Sequence, residues 1–342
     1  MTVRRILVVR LSALGDVVFA SPLIRSLRSR WPDSHIAWLV EPAAANLLTE
    51  HPELNEVLVW DKARWKTLWR QRQFRQLWRE IRDFRERLRQ GQFDLVLDIQ
   101  GLLKSAVLAW FTGAPSRIGF KSKEWTGALL THRLSKRSDT RRIGSEYRGI
   151  AEDLGLPTDN FVMEVGLSDS DQGVATTERQ RGQYAVFAPF TTRPQKHWQL
   201  ADWRRLGDMV SEAYGLRVII LGGPGDSEAA AALIENTSFE SRAGALSLRE
   251  SAAIIAEADL VVGVDTGLTH MGTAFCRPTV ALFGSTVPYR ETDSPLTRII
   301  YHDLPCSPCR RQPTCGGRFE CMTGIRPEAV RDVIAGLPLE TP

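Results

Sequence analysis

Arg5-Ile-Leu-Val-Val-Arg10-Leu-Ser-Ala-Leu-Gly-Asp16 is the stretch that decides the fold. Its apolar, β-branched run does not alternate, which is the pattern of a strand covered on both faces. A turn carrying a glycine follows, and residues 17–30 then show the apolar spacing of a helix that stops before Trp31-Pro32. Working outward, His35-Ile-Ala-Trp-Leu-Val40, Val57-Leu-Val-Trp60 and Phe93-Asp-Leu-Val-Leu-Asp98 read as further strands, with a helix start over 42–48. Strand, turn, helix, strand predicts a parallel sheet covered by helices. Residues 167–183 are polar and read as a linker, after which the rhythm restarts. Strands are expected at 184–188, 217–221, 259–264 and 278–283, and helices at 200–214, 227–235, 247–256 and from 268. Ser247 with Glu250 forms a capping-box pattern. The fold class is α/β: two doubly wound, Rossmann-like domains, 1–166 and 167–342, expected to face a central cleft. Ligands of such sheets sit at the carboxyl ends of the strands, so the turns there are where chemistry is sought.

Composition agrees with this class. The 342 residues are 43% hydrophobic and 25% charged, which excludes disorder, collagen and coiled coil, and the length suggests two cores. No apolar run reaches the roughly 18–20 residues of a membrane span. The first apolar run has no small-residue cleavage site after it, so a cytoplasmic protein is expected. The net charge of +4 hides an asymmetry, because residues 1–165 carry 27 Lys+Arg against 19 Asp+Glu while the remainder carries 17 against 21. A basic first half suggests an anionic partner there. The excess is concentrated in 62–89, with eleven Lys/Arg against Glu80, Asp83 and Glu86. Trp65, Leu68, Trp69, Leu77, Trp78, Ile81, Phe84 and Leu88 recur there at helical spacing, broken near Arg72. Two readings stand: a solvated basic face over a packed apolar stripe, or a surface meeting anionic lipid with Trp at the interface. A nucleic-acid partner is not expected, since no helix-turn-helix, zinc-finger or RNP pattern accompanies the charge.

Three turns carry candidate chemistry. Asp16 follows the first strand, where Gly15 permits tight or left-handed geometry; its carboxylate reads as a helix N-cap or as a general base. In Thr191-Thr192-Arg193-Pro-Gln-Lys196-His-Trp198, two hydroxyls and two cations suit a diphosphate, or the loop merely caps the next helix. In Val262-Gly-Val-Asp265-Thr266-Gly267-Leu-Thr269-His270, a buried strand runs into a helix whose first N–H groups form an anion site, with Gly267 admitting a phosphate. The alternative is an Asx cap with His270 as a core histidine. Gly222-Gly-Pro-Gly225-Asp226 is Gly-rich but matches neither GxGxxG nor a P-loop. Asp226 or Glu228 holds a ribose hydroxyl or simply caps a helix. Asp169-Ser-Asp171 looks like a metal-binding carboxylate pair, but it lies in the linker and not after a strand.

Arg10-Leu-Ser-Ala-Leu-Gly-Asp16, Gln100-Gly-Leu-Leu-Lys104-Ser, the Thr191–Trp198 turn and Asp265-Thr-Gly-Leu-Thr-His270 occur in that order. Together they resemble the family 9 glycosyltransferases, the lipopolysaccharide heptosyltransferases, most of all the heptosyltransferase I branch. The resemblance implies a GT-B fold and inverting, metal-independent transfer of heptose from ADP-heptose to the Kdo-lipid A inner core. It implies Asp16 as the base and Lys196 as the diphosphate-binding lysine, both catalytic. Thr191, Thr192, Asp226, Asp265, Thr266, Gly267 and His270 match its ADP site, Asp226 imperfectly. Ser12, Gly15 and Lys104 match its acceptor side. The implied partners are an ADP-sugar donor, a phosphorylated lipid A-type acceptor and the anionic inner face of the inner membrane, met by a monomer that needs no cofactor. Two competing readings keep the residues but change the function: a nucleotide-sugar epimerase on the same scaffold, and a non-catalytic binder of anionic polymer through 62–89.

Cys306, Cys309, Cys315 and Cys321 give C-x₂-C-x₅-C-x₅-C. Four thiolates this close suggest a structural zinc site; reduced packing thiols or adventitious disulfides are the alternative.

Overall fold

A computed structural model describes residues 3–339 apart from 138, 140, 293 and 311. The chain divides into two compact units, 1–139 with 144–166, and 140–143 with 167–342.

The first unit is built on a six-stranded parallel sheet. Its strands are β1 (Arg5–Val9), β2 (His35–Val40), β3 (Glu56–Val59), β4 (Leu95–Asp98), β5 (Ser116–Phe120) and β6 (His132–Leu134), in the order β3-β2-β1-β4-β5-β6. Val8 lies opposite Trp38 on one side and Leu97 on the other. Ile6 and Val8 pack into one buried cluster with Trp38 and Tyr147, while Leu7 and Val9 pack into a second with Leu39 and Phe93. Both faces of β1 are therefore covered, which is why its sequence does not alternate.

The second unit repeats the plan with β7 (Tyr184–Ala188), β8 (Arg217–Ile220), β9 (Glu240–Ser241), β10 (Leu260–Val264), β11 (Thr279–Phe283) and β12 (Thr297–Tyr301). The order is β12-β11-β10-β7-β8-β9. Counted within its own unit, this is the same 3-2-1-4-5-6 order, with all registered pairs parallel. The order reverses between β1 and β4 in one unit and between β7 and β10 in the other. At such a switch point the flanking connections depart in opposite directions and leave a crevice beyond the strand ends.

The strands the sequence did not announce, β5, β6, β9 and β12, lie at or next to a sheet edge. They carry Arg117, Arg133 and Arg298 and stay half exposed, so they lack an apolar signature. The polar stretch 167–183 is not a linker. It forms the helix Asp169–Gln180, in which Ser168 accepts the Asp171 N–H and Asp171 pairs with Arg249. Glu178 of that helix is buried and accepts from Arg217 and Arg242. Ion pairs, not an apolar stripe, hold this helix, which hid it from hydrophobic periodicity. They also occupy the Asp169/Asp171 pair, whose second carboxylate is capped and ion-paired and is not held open for a metal. The segment 17–30 is two helices, Leu14–Ala20 and Pro22–Arg30, because Pro22 opens a new first turn.

Residues 62–89 form the helices Lys62–Arg70 and Phe74–Gln90, broken where Arg72 takes φ 58°. Leu68, Leu77 and Leu88 are buried, and Trp65, Ile81 and Phe84 half buried. Trp69 and Trp78, expected in the same stripe, are instead exposed. Among the described residues no helix is long and apolar enough to cross a membrane.

Candidate active site

In the second unit the switch-point turns converge on one carboxylate. Asp265 follows β10, and its Oδ2 lies 2.5 Å from the Lys196 Nζ, which also donates to the Asp265 carbonyl at 3.2 Å. Thr286, after β11, donates to the same Oδ2 at 2.6 Å. The other oxygen, Oδ1, lies 3.1 Å from His270 Nε2, and His270 Nδ1 lies 2.6 Å from the Tyr289 hydroxyl. Burial pushes the Asp265 carboxyl up, but His270 and then Lys196 outweigh it and hold it far below the usual carboxylate range. Burial raises the Tyr289 hydroxyl well above its ordinary value, so it stays a neutral partner for His270.

Asp265 is therefore not an Asx cap. The helix Gly267–Ala274 has Thr266 at its N-cap with no side-chain hydrogen bond there. Its first N–H groups stay open beside a lysine, which together make an anion cradle. Lys196, Asp265 and His270 are in direct contact. Thr191 is half buried and Thr192 exposed on the loop leading to Lys196; the Thr191 carbonyl lies 2.7 Å from His197 Nε2. Asp226 accepts the Gly223 N–H at 2.8 Å, so its carboxylate is engaged in its own turn.

In the first unit Asp16 is not an N-cap. It lies in the first turn of Leu14–Ala20, accepts the Ala13 N–H at 3.2 Å, and its Oδ2 is 2.5 Å from Arg10 Nη2. Gly15 sits within that helix and outside the left-handed region, so its freedom is not used. Arg10 is buried, donates to the Ile99 carbonyl at 3.1 Å and lies over the Tyr147 ring. A cation locked from three sides thus holds a carboxylate whose own side chain is 37% exposed. The Ser12 and Leu11 N–H groups donate to Gln100 Oε1. Lys104 Nζ meets Glu41 at 2.9 Å and lies over Trp60. These groups all extend from the carboxyl ends of β1, β2, β3 and β4. At the end of β4, Asp98 is fully buried and accepts from Ser105 and from the Gln100 and Gly101 N–H groups. Burial pushes its carboxyl up to about 6 against those bonds and Arg10.

The chain has a clear relationship to known proteins. The profile of glycosyltransferase family 9 (heptosyltransferase) matches residues 81–318. This chain belongs to glycosyltransferase family 9. It is a glycosyltransferase, as the doubly wound α/β units and their strand-end sites would suit. Lipopolysaccharide heptosyltransferase 1 of Pseudomonas aeruginosa is 31% identical over 330 residues, covering 91% of this chain and 87% of that one. The enzyme of the same name from Escherichia coli is 28% identical over 289 residues, covering 83% and 89%. The solved structure of the E. coli heptosyltransferase WaaC with ADP-2-deoxy-2-fluoro heptose superposes with a TM-score of 0.76 at 27% identity, covering 97% of this chain and 99% of that one. The fold class is thus GT-B, as the motif resemblance implied.

The site residues missed in the sequence are Arg10, Asp98, Thr286 and Tyr289. Thr286 was within reach of the same logic, since it follows an expected strand. Tyr289 carries no local signal. The four cysteines expected to bind zinc lie in one neighbourhood of the tail. Among the described residues no three His, Cys, Asp or Glu side chains are arranged to hold a metal ion. Cys306, Cys309 and Cys315 are partly exposed on the tail, whereas Cys321 is buried in the helix Glu320–Thr323 and packs on Gly284. Burial first and the neighbouring thiols second push Cys309 and Cys321 up. A cavity of about 530 Å³ in the second unit, lined by Gln172, Arg179, Glu257 and Arg277, contains none of the expected site residues.

Proposed function

We propose that this glycosyltransferase moves heptose from ADP-heptose to the Kdo-lipid A inner core of lipopolysaccharide, with inversion and without a metal. The observation that carries the reading is the Lys196–Asp265–His270 knot beside an uncapped helix N-terminus at the switch point of the second unit. The named relatives act on the same class of substrate.

Asp16 takes the proton of the acceptor hydroxyl as its oxygen attacks the anomeric carbon from the face opposite ADP. The Arg10 guanidinium, itself held by Ile99 and Tyr147, fixes the aim of Asp16. Such a base contributes roughly 10²–10⁴-fold. The charge that grows on the departing diphosphate is met by Lys196, by the Thr191 and Thr192 hydroxyls and by the open N–H groups following Thr266 and Gly267. Fixed donors of this kind, aimed where charge develops, usually contribute the largest share of the rate. Asp265 is the post that holds Lys196 and His270 in place. Lys196 and the open N–H groups do what a divalent cation does in other sugar transferases, so the reaction needs none. Asp226 is assigned to the ribose only if it gives up its bond to Gly223. Ser12, Gly15 and Lys104 are assigned to the acceptor, with Lys104 exchanging Glu41 for an acceptor anion. The enzyme is a cytoplasmic monomer acting at the inner face of the inner membrane.

The test is incubation of the purified protein with ADP-heptose and Kdo-lipid A, in chelator, followed by mass spectrometry. The expected product is one heptose heavier than the acceptor. Intact substrates after prolonged incubation, or turnover that stops in chelator and returns with metal, would overturn the corresponding part of the reading.

A further inference from the structure

The first unit displays a feature that catalysis does not use. The helices Lys62–Arg70 and Phe74–Gln90 pack their apolar stripe inward, yet three aromatic side chains near the turn between them point to solvent. Trp69 is 64% exposed, Trp78 70% and Phe74 45%. Trp69 and Phe74 touch edge to face at 5.3 Å, and Phe74 and Trp78 are one helical turn apart. They form one patch. Elsewhere Arg85 lies over Trp110 and Phe111 of the helix Leu103–Phe111, and Trp65 is wedged between Trp60 and Phe84. Among the described residues no cation lies over Trp69 or Trp78.

The surroundings of the patch are cationic. Lys66, Arg70, Arg72, Arg75 and Arg79 flank it and are exposed. Among the described residues none of the five is in an ion pair, whereas Arg64 pairs with Glu80 and Arg82 with Asp83. Glu80 and Asp83 are thus spent away from the turn. Amphipathic aromatic rings ringed by unpaired cations match one partner in both properties, the interface of an anionic bilayer. Rings seat at the headgroup level and cations attract the negative surface.

We propose that the turn joining these two helices docks the enzyme on anionic membrane, with Trp69, Phe74 and Trp78 entering the headgroup region and the five cations holding the surface. The proposal rests on the reading of a lipid-borne acceptor and names the surface by which the enzyme reaches it.

The test is flotation of the full chain with vesicles of phosphatidylcholine alone or mixed with phosphatidylglycerol, with no sugar substrate present. Expected is binding to the anionic vesicles at 0.1 M salt, at least tenfold weaker at 0.5 M, where charges are screened within a few ångström. The triple variant Trp69→Ser, Phe74→Ser, Trp78→Ser should bind at least tenfold more weakly at 0.1 M. It should keep its kcat/KM on a deacylated, water-soluble acceptor and lose at least tenfold on acceptor embedded in vesicles. Because these three side chains are exposed, the variant should fold, and circular dichroism checks this. Equal vesicle binding by variant and parent overturns the proposal. So does equal binding to both vesicle types, or a concentration-dependent dimer that the triple variant abolishes. Vesicle binding without heptose transfer would instead overturn the functional reading and leave the docking surface standing.

Discussion

The two units place an aspartate at the end of the corresponding strand, the fourth of each unit in chain order, and treat it in opposite ways. Asp98 ends β4 among neutral donors, Ser105 and two backbone N–H groups, and burial lifts its carboxyl to about 6. Asp265 follows β10, half buried between a lysine and a histidine, which hold it far below the usual range against the pull of desolvation. Neutral hydrogen bonds do not offset desolvation of a carboxylate here, whereas adjacent cations do. The lesson is that one topology serves two tasks. In the first unit the buried acid braces the turn at Gln100 and Gly101, and the half-buried Asp16, held by Arg10, is the acid proposed to take a proton. In the second unit the half-buried acid holds Lys196 and His270 where an anion cradle is proposed.

The sharpest way to break this contrast is at Asp16. Asp16→Ala should lower kcat by about 10²–10⁴-fold and leave calorimetric ADP affinity unchanged; equal losses of both would remove Asp16 from the chemistry. The two strand-end acids come next. The folded value of Asp98 lies above the unfolded one, so its stabilising contribution is complete below about pH 4 and is lost as pH rises through about 6. Relative to the parent, Asp98→Asn should therefore gain stability between pH 4.5 and 7.5, by about 2 kcal/mol. Asp265 has the opposite sign. Its contribution is complete above about pH 4 and lost as pH falls further. Urea titrations of Asp98→Asn and Asp265→Asn at pH 3.5, 4.5 and 7.5 should show slopes of opposite sense, and parallel slopes would sink the comparison.

Third, Lys196→Ala removes a charge-assisted contact to the diphosphate of about 1.5–3 kcal/mol. ADP affinity and turnover should fall together, by roughly 10–100-fold, and an unchanged ADP titration would count against the cradle. The smallest expected effect is at the outer end of the knot. Tyr289→Phe deletes the partner of His270 Nδ1 and should cost about 1–2 kcal/mol of stability. It should change ADP affinity by less than about threefold, because Asp265 still holds His270 from the other side.

Much of the site was legible because strand-end turns are written locally. Asp16, Lys196, Asp265 and His270 each sit within a few residues of an apolar run that announced its strand, and their order matched a family pattern. Thr286 obeyed the same rule and was overlooked. What escaped has a common cause. The helix Asp169–Gln180 is held by ion pairs with Arg217, Arg242 and Arg249, residues far away in sequence. The anchoring of Arg10 by Ile99 and Tyr147, the bond of Tyr289 to His270 and the exposure of Trp69 and Trp78 likewise depend on which chain segments meet in space.

The sequence by itself determined the alternation of buried strands and covering helices, the doubly wound class and the family, because these follow from local periodicity and short motifs. Tertiary structure alone decided which carboxylates are charged, which cations are free, and which aromatics of one apolar stripe are covered. Those properties depend on burial and on distant partners, and no window of neighbouring residues contains either.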